Sequence, residues 1–192
     1  MVRVMPTRTC SPVLIALLAL GVPAGAAPAS DARGAPARVV VDRTEIIGDA
    51  DAVMWARVLA VLPARPARIE VLDIDTLSAG TRRKLRGLDG FVLQGLKTIV
   101  IVRQGETLQR AARGHAFDRL VLASLIWHEM AHLEGLDERA AFGREEALWR
   151  RFVADGLVEA DTGLAFVGRL AEARADAAKA GRAEGPALAR GW

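Results

Sequence analysis

The chain has 192 residues, with 26 Lys and Arg against 23 Asp and Glu, and 52% of its residues are hydrophobic. This length allows one domain with a buried core and leaves little room for a second. The formal charge of +3 is small, and nucleic-acid binding would require a clustered basic face. The one basic run, residues 81–86, is better explained as a solvated helix face, so no nucleic-acid partner is expected.

The first 26 residues have the pattern of a secretory signal peptide. Arg3 and Arg8 precede an apolar stretch at 12–22, and small residues follow it. Because this stretch is shorter than the roughly 20 residues of a membrane span, we expect cleavage, a secreted or periplasmic location and no stable membrane insertion. The alternative is an uncleaved anchor. Cleavage would also remove Cys10, the single cysteine, so no disulfide or thiol chemistry is expected in the mature chain.

After a flexible leader at 27–36, short β-branched runs predict strands and apolar residues at helical spacing predict helices. The run "TIVIV" is wholly apolar, so we expect it well inside a sheet or covered on both faces. The predicted order is a strand at 37–42, a helix at 49–62 capped by Asp49 or Asp51 and ended by Pro63, a strand at 67–75, a short polar helix or turn at 76–87, and strands at 91–93 and 97–103.

Two helices are predicted to follow the strands. The first covers residues 116–134 and ends at Gly135, a residue typical of helix C-termini. Asp137 can cap the second. Strands followed by helices predict a small α+β domain over residues 37–170. The Ala-rich, charged residues 171–192 are expected to form a frayed helix or to be disordered.

The first of these helices contains "HEMAH", with His128, Glu129 and His132. Residues four apart on a helix lie about 40° apart on one face, so the two imidazoles would point to one place, as two ligands of a tetrahedral Zn²⁺ do. Glu129, beside the first ligand, can act as general base on a zinc-activated water. The alternative is an amphipathic helix with two histidines on one face by chance, a pattern expected in about one of a few hundred such chains.

This helix, with an apolar strand before it and an acid-bearing helix after it, resembles the zincin metallopeptidases, in particular the glutamate-liganded gluzincins. The likeness is specific over residues 91–152. It implies a zincin-like domain, a Zn²⁺ cofactor held by two histidines and one acid, and hydrolysis of peptide bonds in a peptide or protein substrate. It also implies that the strand at 97–103 is the sheet edge that pairs with the substrate backbone.

Glu138 is the predicted third ligand. Gly135 lets the chain turn back, and Glu138 stands where the metzincin spacing has its third histidine; "ERAA", which begins with Glu138, also resembles the Glu-x-x-Ala pattern of some gluzincins. Glu145 or Glu146 on the second helix is the alternative, and Glu134 is expected to face solvent. No methionine follows these candidates, so a metzincin Met-turn is absent and the gluzincin likeness is the better one.

The chain has no tyrosine, so the tyrosine that stabilises the oxyanion in several zincins has no counterpart here. His115, Arg103 or Arg139 would have to supply that charge, or zinc would act alone. The competing hypothesis is a non-catalytic domain of the same fold that binds zinc structurally or binds a protein partner. A structural zinc site has four protein ligands, whereas a catalytic one keeps a position for water.

Overall fold

A computed structural model describes residues 36–183. The predicted signal peptide, nearly all of the leader and residues 184–192 lie outside the described part. A mixed five-stranded sheet with six α-helices confirms the predicted α+β class. None of the described helices is long and apolar enough to span a membrane. The elements are β1 (Arg38–Val41), β2 (Thr44–Ile47), α1 (Ala52–Ala60), β3 (Arg68–Leu72), α2 (Ala79–Leu85), β4 (Gly90–Leu93), β5 (Thr98–Val102), α3 (Glu106–Ala112), α4 (Ala116–Leu133), α5 (Glu138–Ala154) and α6 (Ala160–Ala183).

The sheet begins with a hairpin where the sequence predicts a single strand. The strands lie in the order β1-β2-β3-β5-β4. The three inner strands are parallel, and the outer strands β1 and β4 are antiparallel to their neighbours. Asp42 and Arg43 form the turn between β1 and β2 with φ of 47° and 71°. Neither is a glycine, so this stretch lacks the usual sequence signal of a two-residue hairpin turn.

Strand β5 lies inside the sheet, as its apolar sequence predicts, and all five of its residues are buried. The expectation that residues 97–103 form the substrate-binding edge is wrong. Strand β5 pairs with β3 on one side and with β4 on the other, so its backbone groups are already engaged. The physical reason is its apolar character, since a strand buried on both faces belongs in the interior of a sheet. The free edge on this side is β4.

The helix ends follow local capping signals where these exist. Asp51 caps α1, because its carboxylate accepts a hydrogen bond from the Met54 amide at 2.9 Å. Helix α3 lies in a stretch for which no helix was predicted. Helix α6 runs through the predicted domain boundary at residue 170, so the expected tail is helical as far as Ala183. Its buried apolar residues pack on α5, and Ala-rich sequence continues a helix readily once it is anchored.

The core lies between the sheet and the helices. Helix α4 contacts β4, β5 and α1; α5 packs on α4, and α6 packs on α5. The large side chains Trp55 of α1, Ile126 of α4 and Trp149 of α5 are fully buried. Helix α4 is therefore held between the sheet and α5, and the metal-binding candidates lie in its C-terminal half.

Candidate metal centre

The site is built around the turn between α4 and α5. The amide of Gly135 donates to the His132 carbonyl, and the amide of Leu136 donates to the Ala131 carbonyl, both at 3.0 Å. This is the Schellman arrangement of a helix C-terminus. Gly135 has φ of +84°, and a Cβ there would meet nothing within 4 Å, so glycine is required for its backbone conformation and not for space. The predicted helix stop at Gly135 is confirmed.

The turn brings Glu138 back to the two histidines. Glu138 is the first residue of α5, directly after Asp137, which caps the helix by accepting from the Ala140 amide at 2.8 Å. The Nε2 atoms of His128 and His132 are 3.1 Å apart. Oε2 of Glu138 lies 3.3 Å from Nε2 of His128, and its Oε1 lies 3.5 Å from Nε2 of His132. These three residues form a group that could hold a metal ion.

The spacing of these atoms fits a small tetrahedral cation. With metal–ligand distances of about 2.0–2.1 Å, neighbouring ligand atoms in a tetrahedral site lie about 3.3 Å apart. The Nε2–Nε2 separation of 3.1 Å is close to that value, and each ring nitrogen has a different oxygen of Glu138 within 3.5 Å. Two ring nitrogens that face each other can share only one proton, whereas one cation accepts both lone pairs. Glu138 has 31% of its side chain exposed and His128 has 7%, so the group is buried on the His128 side and open to solvent on the Glu138 side.

The two imidazoles are held differently at their other nitrogen. Nδ1 of His132 lies 2.9 Å from the Leu136 carbonyl, to which it donates, so that Nε2 is left as the metal-binding atom. Nδ1 of His128 instead lies 3.3 Å from Oε2 of Glu145. The two atoms are close enough for an ion pair, but they are not aligned for a hydrogen bond. Both rings therefore present Nε2 to the same point.

Of the alternative third ligands, neither joins the metal-binding group. Glu145 lies behind the His128 ring, on the side away from Nε2. Glu146 pairs with Arg150 at 2.8 Å and Arg174 at 3.0 Å. Geometry therefore favours Glu138, the predicted third ligand, over the two acids further along α5.

Glu134 is exposed and pairs with Arg144 at 2.6 Å, which agrees with its predicted orientation to solvent. This pair lies at the end of α4. Because the Glu134 carboxylate is turned to Arg144, it contributes nothing to the group formed by the two histidines.

Two of the three candidates for oxyanion stabilisation lie far from the metal-binding group. His115 precedes α4, thirteen residues before His128, which is about 20 Å along a helix. Arg103 follows β5 and donates to the Gly48 carbonyl, at the end of the strand opposite to Thr98. Helix rise and strand direction place His115 and Arg103 away from the metal-binding group, which disfavours these two alternatives. Arg139 follows Glu138 directly, is exposed and stays a candidate.

The electrostatics couple the site residues to one another. Burial favours the neutral ring, but Glu138 and Glu145 outweigh it and raise the pKa of His128 to about 10. Burial also opposes ionisation of Glu138, yet its hydrogen bonds to both histidines lower its pKa to about 2. For Glu129, burial is the largest effect and raises the pKa to about 7, against the opposing charges of His128 and His132. Glu129 is therefore a buried carboxyl poised to exchange a proton near neutral pH.

Sequence reasoning missed Ser124 and Phe142 behind the histidines, and it considered Glu145 only as an alternative third ligand. Ser124 donates to Oε1 of Glu145 at 2.8 Å, and both residues are fully buried. The Phe142 ring meets the His128 ring edge-on, with 4.7 Å between centroids. Helical spacing could have indicated these residues. Ser124 lies one turn before His128, and Phe142 and Glu145 lie one and two turns after Glu138, so each shares a helix face with a predicted ligand.

No protein-family model matches this chain, and no curated protein or solved structure is significantly similar to it. The likeness to zincins therefore depends on the His-Glu-x-x-His motif and on the geometry around it. What the described residues themselves establish is an α+β domain with a group of two histidines and one glutamate that could hold a metal ion.

Proposed function

We propose that this chain is an exported zinc-dependent metallopeptidase. The observation that carries the proposal is the placement of Glu129, a buried carboxyl next in sequence to His128 and close enough to both histidines for their charges to act on it. A purely structural metal site has no use for an additional carboxyl whose pKa is raised towards neutrality. A hydrolase that activates water requires one.

Zinc is the cation that this donor set suits best. Two imidazole nitrogens and one carboxylate are typical ligands of catalytic zinc, which keeps a fourth position for water or substrate. In the described part of the chain the metal-binding group has three residues and not four, which favours a catalytic over a structural site. When bound, zinc would polarise the scissile carbonyl and make water more acidic. His128, His132 and Glu138 would hold it.

The chemistry assigned to the protein is a proton transfer through one side chain. Glu129 would take a proton from the attacking water and deliver it to the nitrogen of the leaving amine. In the metal-free protein burial raises the pKa of the Glu129 carboxyl to about 7, and a carboxyl that changes its protonation near neutral pH can accept a proton and then donate it. Burial of the carboxyl also keeps bulk water from competing for the proton.

The substrate backbone would lie along β4, the free edge of the sheet next to α4. Gln94, directly after β4, donates from Nε2 to the His132 carbonyl at 2.6 Å, so this edge leads to the metal-binding group. An extended peptide can add to such an edge through main-chain hydrogen bonds, which select for extended chains and not for particular side chains. The proposed substrate is therefore a peptide or an unfolded segment of a protein.

The test compares Glu129→Gln with Glu134→Gln, an exposed acid directly after the same helix. Zinc content is measured by elemental analysis, and cleavage is followed on a library of fluorogenic peptides. We expect about one zinc in every sample and a loss of about 10²- to 10⁴-fold in the cleavage rate for Glu129→Gln only. His132→Ala should lose zinc and activity together.

Two results would count against the peptidase. If Glu129→Gln cleaves as fast as wild type, the activity does not come from this site. If wild type binds zinc but cleaves no peptide, the competing hypothesis of a non-catalytic zinc-binding domain is favoured. Absence of zinc from wild type purified without chelator would exclude a zinc site altogether.

A further inference from the structure

We infer that Glu145 is a positioning residue of the metal centre: its buried carboxylate holds the His128 ring with Nε2 towards the metal and strengthens zinc binding. The inference rests on the proposed zinc site and deepens it. Oε2 of Glu145 lies 3.3 Å from Nδ1 of His128, while Nε2 of the same ring faces Glu138 at 3.3 Å. The imidazole is therefore placed between two carboxylates, one at each nitrogen.

One face of α5 provides this arrangement. Glu138, Phe142 and Glu145 follow one another at intervals of four and three residues, which places them on the same side of the helix. The first reaches Nε2 of His128, the second packs against the ring edge-on at 4.7 Å, and the third reaches Nδ1. The ring is therefore contacted at both nitrogens and by one aromatic ring, all from a single helix.

The position of Glu145 is itself held from α4. Ser124, one turn before His128, donates to Oε1 of Glu145 at 2.8 Å, and both residues have at most 1% of their surface exposed. A buried carboxylate is costly unless polar partners compensate it. The ion pairs of the described residues give Glu145 no arginine or lysine, so its neighbours are the Ser124 hydroxyl and the His128 ring. His128 is therefore the titratable side chain with which the Glu145 carboxylate interacts.

The chemical consequence is a difference between the two histidine ligands. A carboxylate at Nδ1 keeps the proton on that atom, leaves the lone pair on Nε2 and makes Nε2 a stronger ligand. His132 has a neutral carbonyl, that of Leu136, in the same position. His128 should therefore be the more firmly held and more basic of the two ligands, and that property should depend on Glu145.

The test is Glu145→Gln, with Glu146→Gln as the matched control. Glu146 is the next residue on the same helix and is also buried, but it pairs with Arg150 and Arg174 and not with a histidine. Zinc affinity is measured by competition with a chromogenic chelator. We expect Glu145→Gln to bind one zinc at saturation with about 10- to 100-fold lower affinity, and Glu146→Gln to keep the wild-type affinity.

Residue-specific evidence comes from the imidazole ¹⁵N resonances of zinc-loaded protein. Nδ1 of His128 should shift in Glu145→Gln, whereas both nitrogens of His132 should keep their wild-type positions. Circular dichroism confirms folding. Ser124→Ala is the second variant, because it frees the carboxylate without removing it, and we expect it to bind zinc several-fold more weakly than wild type.

The outcomes separate this inference from the proposed zinc site. Wild-type affinity in both Glu145→Gln and Ser124→Ala would overturn the positioning role and leave the zinc site intact. An equal loss in Glu145→Gln and Glu146→Gln would also overturn it, because the effect would then be a general one of removing a buried charge. If wild type binds no zinc, both the site and the positioning role are refuted.

Discussion

Ser124→Ala should destabilise the metal-free protein by a predictable amount. The Ser124 hydroxyl is fully buried and donates to a fully buried carboxylate at 2.8 Å. Hydrogen bonds to charged groups contribute about 1.5–3 kcal/mol, and alanine returns roughly 0.5 kcal/mol because it is the better helix former. We therefore expect the free energy of unfolding to fall by about 1–2.5 kcal/mol. For a domain of this size that corresponds to a decrease in Tm of about 2–10 °C.

The assay is urea unfolding of chelator-treated protein at pH 7, followed by circular dichroism, with Ser124→Ala made both in wild type and in Glu145→Gln. A hydroxyl that bonds to a neutral amide contributes only about 1 kcal/mol, so the effect of Ser124→Ala should be roughly halved when Glu145 is already replaced. A loss below about 0.5 kcal/mol in the wild-type background would refute the reasoning. An equal loss in both backgrounds would show that Ser124 does not act through the Glu145 charge.

Three further predictions concern the turn, the metal and the protons of the site. Gly135→Ala should lower the free energy of unfolding by about 1–2 kcal/mol, because φ is +84° while the space around an added Cβ is open. An unchanged midpoint in urea would contradict the claim that glycine is required there for its backbone conformation. Zinc at about a thousand times its Kd should stabilise the protein by about 4 kcal/mol, seen as a rise in Tm that a chelator reverses and that His132→Ala lacks. Because the pKa of His128 is raised to about 10, its ring is protonated at pH 7, and zinc binding should release about one proton or more. Calorimetry in two buffers of different ionisation enthalpy measures the number of protons released. A release of zero protons would exclude zinc binding through His128.

Much of the candidate site could be predicted from local sequence because local geometry decides it. Spacing of four residues places His128 and His132 on one helix face whatever surrounds the helix. Gly135 marks the helix end because few other residues adopt a left-handed conformation. The apolar sequence of β5 similarly indicates a strand buried on both faces. These statements need no knowledge of what lies across the sheet or beside the helix.

The partners of these elements could not be predicted from local sequence. The hairpin turn at Asp42 and Arg43 has two non-glycine residues in left-handed conformations. Aspartate is enriched in that conformation but arginine is not, so residue preference does not predict the pair. The sequence of an apolar strand also does not indicate which strands pair with it. The assignment of the sheet edge to residues 97–103 was therefore wrong, because β4 pairs with the outer side of β5. Strand order depends on long-range pairing and on the crossovers between strands.

The sequence by itself determined the chemistry available to this chain: two imidazoles and a carboxyl on one face of a helix, a turn after them, and a second helix with three acids. Only the tertiary structure decided what each acid does. Glu138 and Glu145 share one face of α5, and helical period cannot distinguish them. The packing of α5 against α4 places Glu138 at Nε2 of His128 and Glu145 at Nδ1. A difference of two helical turns, about 10 Å along the axis, thus separates the proposed metal ligand Glu138 from Glu145, the carboxylate proposed to hold the His128 ring.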